Sequence, residues 1–275
     1  MSAVVVFIIF AICLVIAIPI SISLGIVAVL PGAFDASFTA SAGYVIRSMV
    51  GGIDSFPLLA VPMFVLAGIL MAHGKISEKL FDVFVYFLGN KRAGIPCAVI
   101  ITCLFYGAIS GSAPATVAAV GSMTIPLLIE LGYEKDFSTA IVAVAGGLGV
   151  IIPPSIPFIM YAMATGESVS DLFLAGIVPG MMISALLIFY AYYYCRRHGE
   201  DREKIQAKMD QLKTKGFVNI LKESIWALLS PVIVLGCIYT GVASPPEAAV
   251  ISVFYSLFVS LFIYRSIKVK QIWGI

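Results

Sequence analysis

Gly107-Ala-Ile-Ser-Gly-Ser-Ala-Pro-Ala-Thr116 is the stretch that decides the fold. It is small, polar and helix-breaking, and it sits between two apolar runs, 97–109 and 115–131. At 1.5 Å per residue these runs give about 20 and 25 Å of helix, against a hydrocarbon core ~30 Å thick. Neither crosses comfortably. The stretch therefore reads as the tip of a re-entrant hairpin at membrane depth. Irregular backbone is tolerated there only where it is buried in protein or lines a cavity. The plainer alternative is two ordinary spans joined by a small turn.

Outward along the chain, a second interruption follows. Gly146-Gly-Leu-Gly-Val-Ile-Ile-Pro-Pro-Ser-Ile-Pro157 breaks the apolar run 139–165. One proline would kink a membrane helix. Three prolines and three glycines in twelve residues predict an unwound segment, since each internal proline removes a backbone bond and costs about 3 kcal/mol. Two interrupted elements in succession are the mark of a secondary transporter with its site near the midplane.

The rest of the chain fits a membrane. Of 275 residues, 61% are hydrophobic and 12% charged, and the mean hydropathy is +1.06. A soluble domain carries about 25% charged residues to cover its surface. This composition excludes a soluble enzyme, a nucleic-acid binder and a disordered chain. The five cysteines form no CxxC pair, and two histidines offer no metal or acid–base centre. Further apolar runs lie at 4–30 (broken at Pro19), 56–72, 172–195, 225–241 and 248–264. The expected class is an all-α polytopic membrane protein with about seven passes and one re-entrant hairpin.

Charge placement sets the expected orientation. Of seventeen Lys and Arg, eight lie in 196–222, four at Lys75, Lys79, Lys91 and Arg92, and three at Arg265, Lys268 and Lys270. Basic residues gather in cytoplasmic loops. Those segments are then inside, the turns 166–171 and 243–246 outside, and the hairpin starts and ends inside. Residues 75–89 and 197–222 read as arm helices on the cytoplasmic surface, the first with Ile76, Leu80, Phe84 and Phe87 on one face. A solvated loop helix is the alternative. A proline between two apolar runs recurs at Pro19 and at Pro245-Pro246, which hints at an inverted repeat. With the N-terminus outside, residues 35–54 are external. A single long tilted helix starting inside is the alternative for 4–30.

No ionisable residue falls at membrane depth, so no proton relay is written into the chain. The breaks offer oxygen instead: the hydroxyls of Ser110, Ser112 and Thr116, and carbonyls of unwound backbone at 107–113 and 147–154, Gly149 and Pro153 among them. Hard cations take oxygen ligands, and unwound carbonyls hold Na⁺ in such transporters. Pro114 suits the first turn of a helix whose N-terminus attracts an anion. The residues favour Na⁺-coupled uptake of a carboxylate, with no organic cofactor. The alternative is that Ser110 and Ser112 only satisfy local backbone.

At these residues the chain resembles the large membrane (permease) subunit of tripartite ATP-independent periplasmic (TRAP) transporters. The matching stretches are Gly52-Ile-Asp-Ser-Phe-Pro-Leu-Leu-Ala-Val-Pro62, the tip from Gly107 to Val117, Gly149-Val-Ile-Ile-Pro-Pro-Ser-Ile-Pro157, Leu174-Ala-Gly-Ile-Val-Pro-Gly180 and Gly241-Val-Ala-Ser-Pro-Pro-Glu-Ala-Ala249. The resemblance implies an elevator-type, Na⁺-driven symporter in the bacterial inner membrane. It implies a small membrane subunit as partner, and a periplasmic binding protein that delivers organic acids such as dicarboxylates. By resemblance Ser110, Gly111 and Ser112 form the substrate-binding tip, and Gly149, Pro153, Pro154 and Ser155 face them. The family has two inverted halves, whereas this chain carries one hairpin and one broken helix, so it reads as a fragment or a truncated gene product.

The expected organisation is scaffold helices and an arm at 1–92 and a transport half at 93–195, with the hairpin at 97–131 and the broken helix at 139–165. A cytoplasmic arm at 196–222 and the first helices of a second repeat at 223–275 follow. The rival functions are a Na⁺/organic-anion symporter independent of a binding protein, and a non-transporting membrane scaffold. An intramembrane enzyme would need a nucleophile with a base, or metal ligands, and no such set lies at membrane depth.

Overall fold

A computed structural model describes residues 3–34, 42–214 and 216–268. All regular elements among them are helical. The chain forms two units, Met1–Ser55 and Phe56–Ile275.

The first unit holds α1 (Ala3–Val15), α2 (Ile20–Phe34) and α3 (Ala42–Ile53). The run 4–30 is thus two helices, not one tilted helix. Pro19 has no N–H to continue α1, and Ala17 takes a left-handed φ of 63° at the break. The Ser23 hydroxyl, fully buried, bonds back to the Pro19 carbonyl at 3.2 Å. Of the external segment expected at 35–54, residues 35–41 lie outside the described residues, and most of the remainder is α3.

The second unit begins with a 3₁₀ turn, Phe56–Leu59, running into α4 (Ala60–His73), then α5 (Ile76–Leu88), α6 (Gly94–Ser110) and α7 (Ala113–Glu130). Next come α8 (Lys135–Gly146), a 3₁₀ turn Gly147–Val150, α9 (Ile156–Thr165) and the 30-residue α10 (Val169–His198). The unit closes with α11 (Arg202–Thr214), α12 (Phe217–Tyr239) and α13 (Pro245–Phe258), the last running on into a π turn Val259–Ile263.

Five helical stretches are long and apolar enough to cross a membrane: Phe56–His73, Ala113–Glu130, Val169–His198, Asn219–Tyr239 and Pro245–Ile263. The sequence count was about seven. The difference has a physical cause. It included α1 and α2, which are 13 and 15 residues long, and the broken run, which divides into 12-, 4- and 10-residue pieces. Without these three it falls to four; the fifth stretch, Ala113–Glu130, is the second hairpin arm, which reads from sequence as too short to cross. The hairpin arms α6 and α7 are 17 and 18 residues, longer than their most apolar stretches suggested.

The surface of α10 is that of a lipid-facing helix. Val178, Met182, Leu186 and Phe189 recur at helical spacing and are exposed, while Gly176, Gly180, Ser184, Ala191 and Cys195 are buried. Small residues turned inward and large apolar residues outward invert the soluble pattern, as expected where helix packing depends on close approach.

The segment 196–222 is not one arm. It comprises the end of α10, the separate helix α11 and the start of α12. α11 packs its apolar face, Ile205, Met209 and Leu212, against the protein, with α5 among its neighbours. α5 lies between α6 and α12 with Ile76, Leu80, Phe81, Val83 and Val85 buried. Phe87, assigned from sequence to the same face, is 55% exposed. At the base of the hairpin, the Glu200 carboxylate accepts from the Tyr133 hydroxyl at 2.7 Å, from the Ala93 N–H at 3.0 Å and from Arg202 at 3.0 Å. This ties the start of α6, the α7–α8 turn and the α10–α11 corner. Burial, and after it the bond to Glu200, pushes the Tyr133 phenol well above its ordinary range.

Candidate functional site

The hairpin tip is two residues long. α6 ends at Ser110, and Gly111 takes φ +63°, with its N–H on the Gly107 carbonyl at 3.0 Å. A left-handed residue closing a helix favours glycine, which has no Cβ to clash. Ser112 is extended (φ −137°, ψ 124°) and caps α7, its hydroxyl accepting from the Ala115 N–H at 3.5 Å. Pro114 falls in the first turn, where no N–H is missed.

The break in the long helix repeats this chemistry. α8 gives way to the 3₁₀ turn and then to irregular backbone over 151–155, which includes a cis Pro153–Pro154 bond. Ser155 caps α9, accepting from the Phe158 N–H at 3.4 Å, while its own hydroxyl donates to the Val150 carbonyl at 2.6 Å. Ser-Ala-Pro opens α7 and Ser-Ile-Pro opens α9. Each is an N-cap followed by a proline at the second helical position.

Tip and break meet directly. The Ile156 N–H, at the start of α9, donates to the Gly111 carbonyl at 3.2 Å. Gly107 and Gly149 lie so close that a Cβ on the first would stand 2.5 Å from the second's Cα. A Cβ on Gly149 would stand 2.5 Å from Thr116 Oγ1 and 3.0 Å from the Ser112 carbonyl oxygen. α10 supports the break from behind, where Gly176 and Gly180 admit Ile151 and Ile152. The Tyr106 hydroxyl, donating to the Gly68 carbonyl at 2.7 Å, ties α6 to α4.

The structure brings the predicted oxygens together. Ser110 and Thr116 are buried, with their hydroxyls 3.1 Å apart. Thr116 donates to the Ser112 carbonyl at 2.8 Å, and the Ser110 hydroxyl lies 3.4 Å from the same oxygen. Gly149 abuts this group. Pro153 and Pro154 are buried, and their carbonyls accept no hydrogen bond among the described residues. Ser155 is also buried, and the two bonds given above hold it to its own segment. Among the described residues no three His, Cys, Asp or Glu gather. A cation here would meet neutral hydroxyl and carbonyl oxygens, the kind of donor a hard cation takes. Beside the tip a groove of about 340 Å³ runs between α4, α6 and α7, with Tyr106, Ala115, Ala119 and Ser122 on its wall.

Sequence reasoning found both breaks but not the parts played by Gly68, Tyr106 and Gly176. Gly176 and Gly180, four residues apart in an apolar helix, carried a readable signal of close helix approach. Tyr106 carried none.

Residues 7–275 match the family described as "Tripartite ATP-independent periplasmic transporter, DctM component". The chain is 43% identical over 259 residues to the isethionate TRAP transporter permease protein DctMQ of Oleidesulfovibrio alaskensis, covering 94% of this chain and 40% of that protein. It is 34% identical over 286 residues to the C4-dicarboxylate TRAP transporter large permease protein DctM of Rhodobacter capsulatus, covering 99% and 63%. It is 36% identical over 229 residues to the 2,3-diketo-L-gulonate TRAP transporter large permease protein YiaN of Escherichia coli, covering 83% and 52%. The chain thus spans 40% to 63% of the length of these relatives. These relatives are permeases, not enzymes. With a hairpin and a broken helix that meet at their tips, and with this match along almost its whole length, the chain belongs to the DctM family of TRAP transporter large permease proteins.

Proposed function

We propose that this chain carries the hairpin-and-break half of a Na⁺-coupled importer of organic acids, working by an elevator motion in the bacterial inner membrane. The observation that carries the reading is the contact between the tip and the break. Ser110, Ser112 and Thr116 present oxygens within a few ångströms of Gly149, and the Pro154 carbonyl lies beside Gly111 at the same contact. Na⁺ binding would turn the Ser110 and Thr116 protons outward and bring their lone pairs, with carbonyls of Ser112, Gly149 and Pro153, onto the ion. Gly111 and Ser155, together with the N-termini of α7 and α9, would face the anionic group of the substrate, a carboxylate in most of the class. A helix start favours an anion through its free N–H groups and dipole.

The substrate class follows from the relatives, whose names give isethionate, C4-dicarboxylates and 2,3-diketo-L-gulonate. All are small organic anions. By the same relationship, a small membrane subunit and a periplasmic binding protein complete the transporter. About seven passes plus the re-entrant hairpin remain the proposed topology, with the bilayer thinned locally or partners packed around α1, α2 and the broken helix, as short spans require.

The experiment is uptake into proteoliposomes holding the whole permease with its small subunit, a labelled C4-dicarboxylate and the binding protein outside. Uptake that needs both an inward Na⁺ gradient and the binding protein is expected. Uptake driven by a proton gradient without Na⁺ would overturn the coupling. Undiminished uptake without the binding protein would favour the independent symporter.

A further inference from the structure

A second groove, of about 320 Å³, lies between the last turn of α7 and α11, away from the tip. Its α7 wall is formed by Leu127 and Glu130, with Leu131, buried just beyond the helix end, beneath them. Its α11 wall is polar and carries Lys204, Lys208 and Gln211. Lys204 shares its charge with Asp201 at 3.2 Å, while Lys208 forms no ion pair among the described residues.

Three observations place this groove at a membrane–water boundary. α7 is apolar along its length and becomes charged at Glu130. The final turns of α10, four residues before α11, present exposed Tyr190, Tyr192 and Tyr193, then Arg196 and Arg197. Aromatic residues followed by basic ones mark the headgroup level. Finally, the apolar face of α11 is already buried against the protein, so its lysines are held in place and do not swing on a loose arm.

We propose that this groove binds a phospholipid whose headgroup carries both a phosphate and a primary amine. The phosphate sits between Lys204 and Lys208, the amine at Glu130, and an acyl chain runs from Leu127 along the apolar surface of α7. A free anion would have no use for the apolar wall, and a purely anionic headgroup would meet Glu130 with like charge. The chain binds such a lipid where the hairpin's inner arm reaches the surface. The occupant thereby steadies the base of the hairpin whose tip holds the candidate ion site.

The test uses the 275-residue chain purified in detergent, with native mass spectrometry to count bound phospholipid and delipidated protein titrated with phosphatidylethanolamine. One retained molecule per chain is expected. The double variant Lys204→Gln/Lys208→Gln should bind about thirtyfold more weakly, since each lysine at a membrane surface is worth about a factor of five. Glu130→Gln should abolish the preference for phosphatidylethanolamine over phosphatidylglycerol. Ala207→Trp, which fills the groove and keeps every charge, should also lose the lipid. These positions are exposed or half-buried, and the Lys204–Asp201 pair is a surface pair of small worth, so folding is not at risk. Equal binding by the parent chain, the double variant and Ala207→Trp would overturn the proposal. So would inorganic phosphate alone displacing the lipid, which would make the groove an anion site.

Discussion

Gly149 is the residue on which the tip–break contact turns. Its missing side chain lets Thr116 Oγ1 and the Ser112 carbonyl close on the broken helix. Gly149→Ala forces that contact apart, and overpacking of this kind costs about 1–3 kcal/mol. Gly147, two residues earlier in the same 3₁₀ turn, has nothing within 4 Å of a built Cβ and an ordinary helical backbone (φ −59°, ψ −22°). Gly147→Ala should therefore be neutral or stabilise by about 0.4–1 kcal/mol. Thermal unfolding of both variants in detergent checks this, and a Gly149→Ala protein that melts with the parent would contradict the contact. That Gly149 belongs to a break was legible in the sequence, because glycine and proline act locally. That it meets Gly107, forty-two positions away, was not, because no local preference encodes a long-range backbone approach.

At the scale of elements, two helices start in the same way and differ in what their caps hold. Ser112 reaches the Ala115 N–H at 3.5 Å and has no other partner for its hydroxyl among the described residues. Ser155 caps α9 and also ties the buried turn to itself through the Val150 carbonyl at 2.6 Å. Loss of a serine cap costs about 0.5–2 kcal/mol. Ser155→Ala should fall at the upper end and Ser112→Ala at the lower, read from unfolding midpoints in denaturant. A Ser112→Ala loss equal to or larger than that of Ser155→Ala would contradict the assignment. The sequence announced both caps, since a serine followed by x-Pro after a glycine-rich run is a local start signal. It did not announce which face of α5 is inward. Phe87 and Leu80 are both apolar, and in a membrane an apolar face turned to lipid looks like one turned to the core. The clasp of Tyr133 and Glu200 was equally hidden, as the two residues lie 67 positions apart.

For the whole molecule, the account joins a topology to a coupling ion. The proposed topology, read from the placement of Lys and Arg, puts 196–222 inside and 166–171 outside. Glu167→Cys is the suitable probe, because Glu167 is exposed and makes no bond among the described residues, whereas Ser168 caps α10 through the Asp171 N–H. In a variant without the native cysteines, a membrane-impermeant thiol reagent should label position 167 in intact spheroplasts. Labelling only after the membrane is opened would reverse the orientation. The coupling ion is the central claim, and the Na⁺ dependence of uptake by the assembled transporter carrying Ser110→Ala tests it most directly. Thr116 still bonds the Ser112 carbonyl without the Ser110 hydroxyl, so the tip should fold and expression should hold. Removing one buried oxygen from an ion's shell costs about 1–3 kcal/mol, a factor of roughly 5–150 in affinity. The account predicts that half-maximal uptake moves to higher Na⁺ by a factor in that range while saturating uptake persists. An unchanged Na⁺ curve for Ser110→Ala, with normal amounts of protein in the membrane, would contradict it.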